Sequence, residues 1–415
     1  MSSKPYDVVV FGATSFVGQI LARYLFEEFG LDGKLRWAAA GRSMPRLEEL
    51  RKALGRGAGR LQLLQADAGD EASLQKLFSS ARVVVSTVGP YALYGEPLVR
   101  VCAGTGTDYC DLTGEVQWMR RMIHRYEKTA QASGARIVHN CGFDSIPSDL
   151  GVHFLQQQAQ ELFGQPCTTV KMRVRAMRGS FSGGTVASLL NALKEVKANP
   201  ALRKELADPY SICPPLDGKA SGKRVRQANV GLAEFDPDFN AWVAPFFMSA
   251  INTRVVHRTN ALLHDAYGPE FRYDEAVLTG RGLHGRLAAA AMGAALGAFM
   301  VAGSIGTVRS LLEKYVLPAP GEGPSPEAQL KGGFDLRFHG RTKQGDVLRT
   351  RVTGDRDPGY GSTAKMLGQA AACLASDIAK KQVAGGFWTP AAIFGDRLVE
   401  RLRAHAGLTF ELLDQ

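Results

Sequence analysis

The residues best suited to chemistry in this 415-residue chain lie at its start, in YDVVVFGATSFVG at residues 6–18. An apolar, β-branched run ends at Gly12, and residues 19–29 have the pattern of an amphipathic helix. A buried strand, a glycine turn and a helix start form a dinucleotide site. There the unpaired N–H groups and the helix dipole attract a pyrophosphate. Gly12, Ala13, Thr14, Ser15, Phe16, Val17 and Gly18 are therefore expected to hold the cofactor. Gly12 permits the turn, and Gly18, without a Cβ, lets helix and strand approach. Ser15 stands where a middle glycine is usual and still offers N–H and Oγ to a phosphate.

A second strand over 35–40 runs into Gly41-Arg42-Ser43. Roughly 20 residues past the glycines, an NAD site would present an acid to the ribose. Here Arg42 and Ser43 stand instead, and a guanidinium suits a 2′-phosphate, so the expected cofactor is NADP(H). Asp67, after a third strand, is expected to border the adenine or to cap the next helix. A fourth strand over 82–87 ends in Thr87-Val88-Gly89-Pro90, on the edge where ligands bind. Tyr91 and Tyr94 follow and are candidate proton donors; a phenol with a pKa near 10 would need a nearby cation. A later strand over 136–140 leads to Cys141, Gly142, Phe143 and Asp144, expected to wall the nicotinamide. Asp111 and Asp144 read as acids that order their loops. Arg254 and Arg258, four apart, share a face if their segment is helical and could hold an anionic substrate head.

These residues need a parallel α/β sheet to position them, and strand–helix alternation supplies it over residues 1–150. After 150 the pattern changes. Residues 168–177, 334–340 and 347–354 alternate as half-exposed strands, the last two as a hairpin, implying a second, α+β substrate domain over 151–357. Residues 180–184 read as a turn opening a helix, 208–222 as a loop, 317–326 as a linker, and 385–390 as a loop before a final helix. No Ser-His-Asp order and no metal-ligand spacing stands out, so no metal is expected. The six cysteines include no C-x-x-C pair, and no cleavable targeting segment is apparent, which points to reduced thiols in the cytoplasm. The net charge of +10 suits an acidic partner, but no long basic run interleaved with aromatics appears, which argues against nucleic acid.

The segments GATSFVG, GRS, TVGPYALYGEP, DYCDLTGE and CGFDSIPSDLG, in that order, resemble the saccharopine dehydrogenase-like oxidoreductases. GGTVAS, INTRVVHRTNAL and DPGYGSTAKM extend the resemblance through most of the chain. Within that family the chain is most similar to the bacterial trans-acting enoyl reductases. The resemblance implies an N-terminal Rossmann-type sheet, a second domain, and C-terminal helices over 358–415 that return to the first domain. It also implies NADP(H)-dependent reduction of a C=C bond in a lipid or polyketide intermediate. Alternatives are a saccharopine-type C=N reductase acting on an amino-acid-like substrate, or a non-catalytic NADP-binding protein at a lipid surface. A homodimer is compatible with either.

Residues 287–308 carry no charge. They are long enough to span a bilayer but rich in Ala and Gly, which gain little on transfer. The expectation is a buried core helix, or a hairpin making peripheral contact with the inner face of the plasma membrane, with Arg281, Arg286 and Arg309 toward anionic headgroups.

Overall fold

A computed structural model describes residues 4–179, 183–215, 224–306, 308 and 323–414. Residues 180–182 of the turn expected at 180–184, part of the 208–222 loop, most of the 317–326 linker and Arg309 lie outside the described residues. Two seven-stranded sheets organise the chain.

The first is parallel throughout. Its strands are β1 (Tyr6–Phe11), β2 (Trp37–Gly41), β3 (Gln62–Gln65), β4 (Ala81–Ser86), β5 (Asp108–Asp111), β6 (Arg136–Val138) and β13 (Gly386–Trp388), in the order β13-β6-β5-β4-β1-β2-β3. β1 carries Val8, Val9 and Val10, all fully buried, because helices cover both faces. The order reverses beside β1, so the crevice beyond the carboxyl ends of β1 and β4 is the expected ligand site.

The second sheet is mixed: β7 (Cys167–Arg178), β8 (Glu234–Asp236), β9 (Ala241–Pro245), β10 (Arg272–Gly280), β11 (Gly333–Thr342), β12 (Val347–Gly354) and β14 (Leu408–Leu412), in the order β14-β12-β11-β7-β10-β9-β8. The expected hairpin is present as β11 and β12, paired antiparallel. β10 runs parallel to β7.

The C-terminal segment ties the halves together. The helix Thr363–Ser376 is buried along almost its whole length and lies on β1, β4 and β5 beside the helix Phe16–Phe29. The 385–390 stretch, expected to be a loop, contains β13, which pairs in parallel with β6. β14 then joins the second sheet at β12. One apolar cluster runs from Val8 and Val10 to Val170 and Phe338, so the core is continuous across both halves.

Over its described residues the uncharged segment is neither buried nor a hairpin. It forms one helix, Gly282–Ser304, and only 17% of its most apolar stretch is buried. Gly285, Ala289, Gly293 and Gly303 face the protein. Small residues there allow close packing on β9 and β10, while the larger side chains point outward.

Candidate active site

A cavity of about 1150 Å³ lies between the halves. One end is the nucleotide loop. Gly12 has φ +85°, and a Cβ there would come within 2.5 Å of Val88 Cγ2. A Cβ on Gly18 would come within 2.1 Å of the Gly12 carbonyl oxygen. Ser15 caps the helix Phe16–Phe29, its Oγ accepting from Gly18 N–H at 3.0 Å. Thr87 pins the loop to β4, its Oγ1 donating to the Gly12 carbonyl at 2.9 Å and lying 3.0 Å from Ser15 Oγ.

Thr14, Ser15, Phe16 and Val17 line the cavity beside Gly12, and Phe16 and Val17 stand in the first helical turn, whose N–H groups have no intrahelical acceptor. Ala13 and Gly18 lie behind this surface: Ala13 is fully buried with its N–H on the Ala40 carbonyl. They shape the loop without reaching a ligand.

Arg42 is exposed at the rim of the cavity, and Arg46, which the sequence reading did not single out, lines it too. Both flank the start of the helix Met44–Leu54, which Ser43 caps by accepting from Arg46 N–H. Two guanidiniums at a helix N-terminus suit a phosphate. Asp67 lines the cavity, but its side chain accepts from Gly69 N–H at 2.8 Å and orders the turn. The cap of the following helix is Asp70, not Asp67. Val88, Gly89 and Pro90 complete this wall. A cradle that excludes Cβ atoms, free helix-start N–H groups and a pair of guanidiniums fit NADP(H): the first two would hold the pyrophosphate, the pair the 2′-phosphate.

Four expectations need correction. Cys141 and Gly142 do not wall the cavity. Cys141 is fully buried with its N–H on the Asp111 carbonyl, and Gly142 packs against Thr363 and Leu112. The loop first continues the sheet pairing and only then turns outward, so Phe143 and Asp144 reach the site. Phe143 is held by Thr363 Oγ1, which accepts its N–H at 3.0 Å, and by an edge-to-face contact with Phe334.

Tyr91 lines the cavity, but its hydroxyl donates to the Ser86 carbonyl at 2.9 Å and its pKa is pushed well up by burial. It is poorly placed to give up a proton. Tyr94 is 49% exposed at the cavity rim.

Arg258 turns away from the cavity. It is buried, donating to the carbonyls of Ile212 and Phe387 and lying 3.8 Å from Glu127. Arg254 lines the cavity, but its terminal nitrogens donate to the carbonyls of Ala250 and Leu206. The pair shares a helix face, yet its charges stitch segments together through these carbonyls, because a buried guanidinium needs acceptors; the buried Arg254 Nε is left without a partner among the described residues.

Two acids face the seam between the halves. Glu115 accepts from the N–H groups of Tyr91 (2.7 Å) and Ala92 (3.0 Å) and from Ser188 Oγ (2.9 Å). It caps the short helix Tyr91–Tyr94. Asp144 differs: among the described residues its carboxyl has no hydrogen-bond partner. It borders Gly114 and opens on the cavity deep in the fold. Burial alone raises its pKa to about 7. The loop-ordering reading holds for Asp111, which accepts from Thr113 N–H and pairs with His139 at 2.7 Å; it fails for Asp144. No sequence signal distinguished the two acids, since partner count is a tertiary property.

Beyond Asp144 the cavity becomes apolar. Leu189, Ala192, Leu193 and Val196 of the helix Gly183–Ala198, Ile251 of the helix Ser249–Leu262, and Met300 of Gly282–Ser304 line it. Tyr360, edge-to-face on Phe16 at 4.8 Å, closes the nucleotide end.

Residues 8–138 match the family model described as the saccharopine dehydrogenase NADP binding domain. A Mycobacterium tuberculosis H37Rv protein, provisionally described as a trans-acting enoyl reductase, is 41% identical over 98% of this chain and 97% of its own length. The trans-acting enoyl reductase of Mycobacterium ulcerans is 36% identical over 97% and 96%. Among solved structures, apo saccharopine dehydrogenase (L-Glu forming) from Saccharomyces cerevisiae matches with TM-score 0.53 at 11% identity, covering 99% of this chain and all of that one. That likeness speaks to the fold. The protein binds NADP(H) and is an NADP-dependent oxidoreductase, and the chain belongs to the saccharopine dehydrogenase-like family, with the trans-acting enoyl reductases.

Proposed function

We propose that the protein reduces the C=C bond of an α,β-unsaturated acyl group on a lipid- or polyketide-type chain. The observation that carries this reading is the single cavity whose nucleotide end passes Asp144 into an apolar end. An acyl chain would fill the apolar part, and its reacting carbons would lie at the seam. The similarity to proteins named trans-acting enoyl reductases supports the same bond type.

NADPH, when bound, supplies a hydride. The chain supplies position and a proton. Thr14–Val17 and the guanidiniums of Arg42 and Arg46 hold the nucleotide at the carboxyl edge of β1, β2 and β4. Phe143 and the apolar side chains exclude water. Asp144 holds the proton that the second carbon of the bond requires and, having no competing partner among the described residues, can deliver it. Its raised pKa keeps a substantial protonated fraction near neutral pH.

A saccharopine-type substrate is less well served, because a dicarboxylate needs free cations, and Arg258 and the terminal nitrogens of Arg254 are engaged by backbone carbonyls. The test is NADPH oxidation with enoyl thioesters of increasing chain length, beside an imine-forming pair of an amino acid and a keto acid. Turnover rising with chain length is expected. Turnover with the imine pair alone would reject the reading.

A further inference from the structure

Gly282–Ser304 is a 23-residue helix with its apolar residues outward: Leu283 is 67% exposed, Leu287 60% and Val301 64%. Contiguous exposed apolar surface on this scale marks an interaction site. The helix is held to the protein along its length. A Cβ on Gly285 would come within 2.3 Å of the Gly280 carbonyl oxygen, one on Gly293 within 2.6 Å of that of Leu232, and one on Gly303 within 2.8 Å of Leu193. It therefore lies flat, over roughly 34 Å at the helical rise, and could cross a bilayer only by leaving its contacts.

The surroundings indicate what covers it. Leu232 and Phe235 are exposed beside it, and Phe235 packs edge-to-face on Trp242. The Arg286 guanidinium stacks over the same Trp242 ring, 5.4 Å from its centre. Arg281 and His284 are exposed in the same turns. No acidic residue occurs from 276 to 312. An aromatic and basic end beside an apolar face is the composition of an interfacial anchor. Residues 276–312 carry bases and no acids, which complements an anionic layer better than a like-charged copy of the same segment.

We propose that this face seats the protein on an anionic lipid surface, with Gly282–Ser304 lying in the headgroup–acyl boundary. Met300 of the same helix lines the apolar end of the cavity, and Gly303 packs on Leu190 and Leu193 of the cavity-lining helix. The anchored helix thus borders the place where an acyl tail would enter from the lipid. The membrane contact stands on the helix alone; its use in loading substrate rests on the enoyl reading.

The experiment is flotation of the full chain with phosphatidylglycerol–phosphatidylcholine vesicles and with pure phosphatidylcholine vesicles, at low and high salt. Binding is expected on the anionic vesicles. It should weaken with salt, as the Debye length shrinks from about 10 Å at 0.1 M to about 3 Å at 1 M. The double variant Leu283→Glu/Leu287→Glu should bind about tenfold less or weaker still, because two exposed apolar anchors become charged. Its NADPH affinity and turnover of a short, soluble enoyl thioester should be unchanged, which shows that it is folded. Protein that stays at the bottom with every vesicle overturns the proposal. So does a wild-type dimer that the double variant dissociates without any vesicle binding, which assigns the face to a second copy. Binding that survives both high salt and carbonate overturns it in favour of a span. Flotation without enoyl reduction keeps the contact and rejects the substrate reading.

Discussion

The two ends of the cavity are built on different principles. At the nucleotide end, consecutive residues of one loop do the work through backbone: the Gly12 turn, the Ser15 cap and the first N–H groups of a helix. At the apolar end, three helices separated by long stretches of chain contribute the lining, four side chains from one and one from each of the others. The same contrast separates the two acids at the seam. Glu115 and Asp144 follow adjacent strands β5 and β6, yet Glu115 accepts three hydrogen bonds whereas Asp144 has no partner among the described residues. Burial raises both, but only Asp144 keeps the unpartnered carboxyl that the proposed proton transfer needs. Placement beside a site does not make a residue reactive; unspent hydrogen-bonding capacity does.

The largest expected effect comes from the nucleotide loop. Gly12→Val forces a β-branched residue to a positive φ and against Val88 and Thr87, two costs of about 1–3 kcal/mol each. NADPH titration should show binding lost or weakened by more than about 100-fold, with a lower Tm. Unchanged binding would mean that the loop does not hold the pyrophosphate.

Asp144→Asn should lower kcat by about 10²–10⁴-fold and leave the NADPH Kd unchanged. In the proposed reaction the carboxyl acts as an acid, so the wild-type kcat/KM should fall as pH rises through about 7, where the group ionises. Asn cannot ionise, and that limb should vanish. The stability effect has the matching sign. Folding raises this pKa from 3.8 to about 7, so the group's favourable contribution is complete below about pH 4 and is lost as pH rises to about 7. A wild-type rate profile flat across neutral pH would remove Asp144 from the chemistry.

Arg42→Ala should weaken NADPH binding by about 1.5–3 kcal/mol, the range of a hydrogen bond to a charged group, and leave NADH binding nearly unchanged. Isothermal titration with both nucleotides reads the difference. Equal losses for the two would place the 2′-phosphate elsewhere.

Tyr91→Phe sharpens the comparison from the other side. Its hydroxyl bonds the Ser86 carbonyl, so the variant should lose about 1 kcal/mol of stability in a denaturant melt while keeping the pH profile. Loss of the alkaline limb in this variant would move the proton from Asp144 to the phenol.

Legibility followed sequence distance. The β1 strand, the glycine turn and the absence of an acid after β2 were readable because each lies within a few neighbours. Arg46 was one helical turn from Arg42 and could have been found by asking which residues flank the start of the next helix. Three residues carry no period, so β13 looks like a loop from its sequence; Gly386–Trp388 is a strand only because the edge of β6 offers it partners. β10 went unmarked because its alternation is masked where the sheet is covered on both faces.

The sequence by itself determined the nucleotide-binding half, since short-range spacing settles it, and its charge type after β2 pointed to a phosphorylated ribose. It also marked 287–308 as uncharged. Only the tertiary structure decided that this segment is an exposed helix lying flat on the protein, because burial depends on which surfaces distant strands present to it. Only the tertiary structure separated Arg258 and Tyr91, spent on carbonyls, from Asp144, which is unpaired among the described residues. The partners of Arg258 lie 46 and 129 positions away, and even the nearby Ser86 carbonyl meets Tyr91 only through the turn after β4.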